Sequence, residues 1–254
     1  DYAELKKRQK SGEFVTNTGT KKRRFRRVES KITAKGARAI FYRQFLEYKK
    51  EKYFIFTKMT VLSAVVAVIF AYSLQKSVSD SSMAGFILLG VVAYVALIMS
   101  GYTGKWESEL KNPYIFLIPD SPLKKMWYAT LMEHVKAFAD GCIICIPIGI
   151  FWHVPVIEII YCILIYTVLQ ADRLYTMVIV QSLLGEVFGK TGQSLLRMFI
   201  QMALLGVGAG VGVLAAVLIS QTLIFPIVLI YGLMITVAMG AIALLRFDTM
   251  EQFV

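Results

Sequence analysis

Runs of about 20 apolar residues recur along this chain, and no other feature limits its fold as strongly. As a helix rising 1.5 Å per residue, a run of that length covers the ~30 Å hydrocarbon core of a bilayer. A water-soluble chain could bury several such helices only behind amphipathic helices with a polar outer face, and too few of those are present. The runs fall at about 54–75, 84–104, 130–152, 155–186, 194–219 and 223–245. With 57% hydrophobic and only 18% charged residues, and a mean hydropathy of +0.61, the chain reads as an all-α integral membrane protein with six transmembrane helices. The fourth run is longer than one crossing needs, which implies a tilt or an extension beyond the bilayer.

The charge is distributed unevenly. Residues 1–53 hold 17 of the 28 Lys/Arg and 6 of the 17 Asp/Glu, so the net +11 belongs to this segment alone. Within it, residues 1–30 read as a basic cytoplasmic tail or linker. Its run Lys21-Lys22-Arg23-Arg24-Phe25-Arg26-Arg27 suits solvent or anionic headgroups. No folded reader surrounds it, so nucleic acid is not expected as a partner. Residues 31–53 read as an amphipathic interfacial helix with Ala37, Phe41, Phe45 and Tyr48 on its apolar face. Lys and Arg gather on the N-terminal segment, the 105–129 connection, the 187–193 turn and the tail from Arg246. The connections 76–83, 153–154 and 220–222 carry a single Lys. Positive charge stays inside, so a multi-pass plasma-membrane protein with both termini cytoplasmic is expected, and an even number of spans agrees. The start at Asp1 reads as a piece of a longer chain.

The familiar chemical motifs are missing. Gly189-Lys190-Thr191 resembles the end of a phosphate-binding loop, but the leading glycine position holds Leu184 and no strand precedes it. An ATPase within this chain is therefore not expected. His134 and His153 stand about 28 Å apart along one helix, too far to share a metal. Cys142, Cys145 and Cys162 lie in apolar runs and read as small core residues. No catalytic residues and no metal site are expected.

Inside the spans, Asp140, Glu158, Asp172 and Arg173 carry the chemistry. Charge at such depth must be paired or hydrated, as an interhelix pair or along a transport path. Asp172 and Arg173 are adjacent and so point about 100° apart on a helix, which directs each to a different partner. Gly206, Gly208, Gly210 and Gly212 form two interleaved G-x-x-x-G pairs, a signature of close helix packing.

The connection from Trp106 to Lys125 differs from the others. Glu107, Glu109 and Lys111 suggest a short polar helix ended by Asn112-Pro113. Tyr114-Ile115-Phe116-Leu117-Ile118 is apolar yet too short to span, and Ser121 is placed to cap the next helix. Such a segment is buried either against the protein's own helix ends or against a partner.

The order of a basic interfacial helix, two spans, a cytoplasmic connection with a short helix and four further spans resembles the permease of type-2 ABC exporters. More narrowly, the stretches Glu109–Pro122 and Lys35–Tyr48 resemble segments of bacterial ABC exporter proteins. The resemblance implies a coupling segment at 105–129. There a separate cytoplasmic ABC ATPase subunit, carrying the ATP and Mg, docks on Glu107, Glu109, Leu110, Tyr114, Ile115, Phe116 and Leu117. It implies a second six-span permease unit, in the same longer chain or in a dimer, with residues 1–30 as the linker. Closure of the ATPase would push on 107–122 and shift the second and third spans. The very short outer connections depart from those exporters that carry a large extracellular domain. An accessory membrane scaffold and an ion-coupled secondary transporter using Asp140 and Asp172 are the alternatives from other classes.

Overall fold

The computed structural model describes residues 34–50, 54, 56, 58–75, 81–101, 105–110, 114–184, 189–218 and 220–252. The basic segment 1–30 lies outside them, as do Lys111, Asn112 and Pro113. Among the described residues the regular structure is helical: α1 (Arg38–Lys50), α2 (Lys58–Ser73), α3 (Ser81–Ser100), α4 (Lys105–Leu110), α5 (Tyr114–Leu117), α6 (Pro122–Phe151), α7 (Val156–Leu184), α8 (Gly189–Leu218), a short 3-10 segment (Gln221–Leu223) and α9 (Ile224–Gln252).

Among the described residues five helices, α3 and α6 to α9, are long and apolar enough to cross a membrane. The first expected span is shorter than its apolar run, because α2 has 16 residues and reaches only about 24 Å. By contrast α6 and α8 have 30 residues each, about 45 Å, so they overrun a ~30 Å core by some ten residues. The overrun of α6, with the second half of α7 and the last turns of α9, builds a second hydrophobic cluster beyond the first. One cluster holds Leu88, Val92, Ile144, Cys145, Cys162 and Tyr166 from α3, α6 and α7. The other gathers Trp106, Leu110, Ile115 and Phe116 around Met126, Leu174, Val178 and Phe247.

The centre of the bundle is α7, which packs on α3, α4, α6, α8 and α9. Its most apolar window is 72% buried, against 6% for α9. Both helices read as apolar, so hydropathy alone does not separate a helix surrounded by protein from one that faces lipid.

Two helices run past the spans read from the sequence, and one expected cap bond is not made. The 105–129 connection turns helical at Pro122, so α6 begins well before residue 130. Ser121 occupies the N-cap position in extended backbone but makes no side-chain cap bond. The expected cytoplasmic tail 247–254 continues α9 as far as Gln252, and Phe247 is fully buried. At the other end α6 stops in a left-handed turn: His153 has φ 55°, and the Val154 amide donates to the Gly149 carbonyl at 2.9 Å. Pro155 follows and forbids continuation.

Candidate functional site

The polar connection of α4 and α5 is folded into the molecule along one side only. On α4, Trp106 is fully buried and its indole N–H donates to the Leu174 carbonyl of α7 at 3.2 Å. The ring stacks on Phe247 of α9 with centroids 6.4 Å apart, and Phe116 of α5 meets the same phenyl ring at 5.1 Å. Lys125 is fully buried as well. Its ammonium donates to the Phe116 carbonyl at 3.1 Å and fixes the end of the four-residue helix α5. A helix of one turn cannot hold itself in water, so this anchoring is what gives α5 its shape.

The residues expected to dock an ATPase therefore divide. Leu110, Ile115 and Phe116 point into the core, and Glu107 and Glu109 are buried. Glu107 faces Arg197 of α8, Nη1 to Oε2 at 3.4 Å, with both side chains nearly inaccessible. Glu109 pairs with Arg43 of α1. Tyr114 and Leu117 remain outside, 69% and 65% exposed. The segment packs on the protein's own helix ends with one face and exposes two large side chains on the other.

Helix α1 lies along the first half of α6. Gln44 donates to the Ala129 carbonyl at 3.0 Å and the Tyr48 hydroxyl to Glu133 at 3.2 Å. These bonds turn the helix so that Ala37, Ile40, Gln44 and Tyr48 form the buried stripe. Phe41 and Phe45, expected on that stripe, instead stack on one another at 6.3 Å, half exposed. Ala37 and Tyr48 stand on the buried stripe as the spacing predicts, while hydrogen bonds to α6 put Gln44 there in place of the two phenylalanines. The start of α1 is clasped by Asp120, whose Oδ2 accepts the Ala37 amide at 3.1 Å while Oδ1 accepts the Ser121 amide at 3.0 Å. Gly36 takes φ 63° beside it, and a Cβ there would sit 2.8 Å from Asp120 Oδ2.

The Ala37 amide, then the Ser121 amide, hold the Asp120 carboxyl below the ordinary carboxylate range. A depressed folded pKa means that the clasp contributes in full above the unfolded value of ~4 and is lost as pH falls through the folded one. Asp120→Asn should speed hydrogen exchange at the Ala37 amide at neutral pH. In the unaltered chain that protection should persist from pH 8 down to about 5 and fall only in stronger acid. Protection that fades between pH 7 and 6 would assign the clasp to another group.

The charged residues inside the spans go to separate places. Asp140 of α6 and Arg173 of α7 come together on the wall of a cavity of about 20 Å³, with Lys136, Glu133 and Gln170. Arg173 Nη1 donates to the Met99 carbonyl of α3 at 3.0 Å, and the Thr60 hydroxyl of α2 bonds Asp140. This polar layer joins α2, α3, α6 and α7. Glu158 stands apart against Gly85 of α3, where a Cβ would collide with its carboxyl. Asp172 turns from its neighbour Arg173 toward Thr236 of α9. Of the four glycines, Gly208 and Gly212 pack under Tyr231 and Val228 of α9, whereas Gly206 and Gly210 face open space.

Arg197 was absent from the sequence reading, yet a signal for it exists. Gln193, Arg197 and Gln201 recur every fourth residue in an otherwise apolar helix, and all three are buried. Gln201 donates to the Leu169 carbonyl of α7 at 3.2 Å. A polar stripe at helical spacing inside an apolar helix marks the face that meets protein. Phe247 had no such signal, because Arg246 and Asp248 beside it resemble a solvated tail.

Compared with known proteins, residues 1–251 match a family model described as "Putative ABC exporter". No curated protein and no solved structure matches.

Proposed function

The chain belongs to the ABC exporter family, and from that premise we propose that it is a membrane-spanning permease driven by ATP hydrolysis in a separate cytoplasmic subunit. That subunit carries the ATP and Mg and docks on the outer face of α5. The observation that carries the reading is the two-sidedness of α5. Tyr114 and Leu117 are exposed, while Ile115 and Phe116, one residue away, are seated among side chains of α6, α7 and α9. Force applied to the exposed pair passes through Phe116, Phe247 and Trp106 into three long helices. Close-packed interiors transmit such displacement because they compress little.

In this reading α2 is the sixth, short span, α1 lies at the cytoplasmic interface, and both termini are cytoplasmic. The α4–α5 side, the part of the chain that carries Lys105 and Lys124, faces the ATPase. Exposed apolar side chains on α8 and α9, among them Val213, Val217, Met234 and Val237, meet lipid and a second six-span unit. Export follows when the helices tied to α5 shift against that second unit.

Tyr114→Asp combined with Leu117→Asp should lower retention of a co-expressed ABC ATPase by about tenfold or more, as loss of a central apolar contact does at other interfaces. The thermal midpoint of the permease should stay put, since both residues are exposed. A double variant that still retains the ATPase, with hydrolysis still stimulated by transport substrate, would sink the docking claim.

A further inference from the structure

A cavity of about 330 Å³ opens between α3, α7, α8 and α9, and almost everything that lines it is carbon: Phe86, Ala93, Val168, Leu205, Tyr231 and Ile235 are representative. One acidic group interrupts that wall. Asp172 lines the cavity, is 1% exposed, and its Oδ1 has no hydrogen-bond partner. Thr236 bonds the carboxyl from α9, and Arg173, the next residue, turns away to the Met99 carbonyl at 3.0 Å. Among the described residues Asp172 forms no ion pair.

A carboxyl kept for structure alone would have a cation or have both oxygens bonded, because burial in a carbon-lined space is costly otherwise. A recess for lipid tails would need no carboxyl. The volume falls in the range of small-ligand sites, which pair an apolar lining with a few polar groups that fix orientation.

We propose that this cavity binds a hydrophobic amine, its apolar body lying against α3, α8 and α9 and its ammonium donating to Asp172 Oδ1. The attraction is a charge-assisted hydrogen bond in a water-poor site, so the ligand is selected by its cation as well as by its size. This goes beyond the exporter reading and needs no ATPase: binding is a property of this chain by itself. Gly90 lies on the cavity wall, and a Cβ added there meets nothing within 4 Å, so the recess can be filled without touching Asp172.

The test uses two probes of equal shape, 6-phenylhexylamine and 6-phenylhexan-1-ol, in equilibrium dialysis against the chain in lipid nanodiscs, with empty nanodiscs subtracted. The unaltered chain should bind the amine about tenfold tighter than the alcohol. Asp172→Asn should bring the amine to the level of the alcohol and leave the alcohol unchanged. Gly90→Leu should weaken both. Equal binding of the two probes to the unaltered chain, or amine binding indifferent to Asp172→Asn, overturns the proposal and leaves a recess for lipid tails. Should Asp172→Asn fail to fold, the amine-to-alcohol ratio of the unaltered chain and its response to Gly90→Leu decide the matter.

Discussion

Arg197→Ala should cost about 3–5 kcal/mol of stability, the usual penalty for removing one partner of a buried ion pair. Arg197 is 2% exposed, its Nε donates to the Gln193 carbonyl at 3.2 Å, and Nη1 reaches Glu107 at 3.4 Å. The substitution strips Glu107 of its arginine while leaving the carboxyl buried between α4 and α8. The energy lost is then mostly the cost of burying that carboxylate without its arginine and less the worth of the pair. A double variant, Glu107→Gln with Arg197→Met, removes both charges and keeps the volume, so it should recover most of the loss. Thermal unfolding in detergent of the two single variants and the double variant gives the cycle. A double variant as unstable as Arg197→Ala would show that packing around the guanidinium, and not the charge, holds α4 to α8.

Phe247→Ala should cost a similar amount, about 3–5 kcal/mol, as large-to-small changes at a buried phenylalanine do. The ring is fully buried and touches both Trp106 and Phe116, so its loss opens a cavity shared by α4, α5 and α9. Because α5 has one turn and depends on that contact, hydrogen exchange across Tyr114–Leu117 should accelerate along with the global loss. Leu245→Ala, two residues away on the same helix and 70% exposed, should change stability by no more than about 0.5 kcal/mol. If the two variants behave alike, the end of α9 is a tail after all.

Those two residues also show where the sequence was legible. Long apolar runs are a collective signal, summed over some twenty positions, and the helices α3 and α6 to α9 stand where the runs lie. The divergence of Asp172 and Arg173 followed from a fixed geometric fact, 100° per residue, and the structure shows it. What stayed hidden depends on single contacts between distant segments. Among the described residues Trp106 is the largest fully buried side chain, yet its neighbours Lys105, Glu107 and Glu109 give it the look of a surface helix. Those glutamates are buried because Arg197 and Arg43 come to them from 90 and 66 residues away. Lys125 ends a polar connection in the sequence, and it is buried because a carbonyl of α5 meets its ammonium. On α1 the places of Phe41 and Phe45 were hidden for the same reason, since Gln44 outranks Phe41 only when the Ala129 carbonyl is in place.

The central place of α7 sets the order in which the molecule can be completed. The helices it joins lie on both sides of it in the chain, α3 and α6 before, α8 and α9 after. As the chain enters a bilayer from its N-terminus, Arg173 arrives when the Met99 carbonyl is already there to receive it. Asp172 arrives at the same moment, but Thr236 and the walls supplied by α8 and α9 have not yet been made. For an interval, then, the carboxyl has no site, and α7 must wait near water or near another protein until the last two helices close around it. A chain cut after α7 would be stranded at that step.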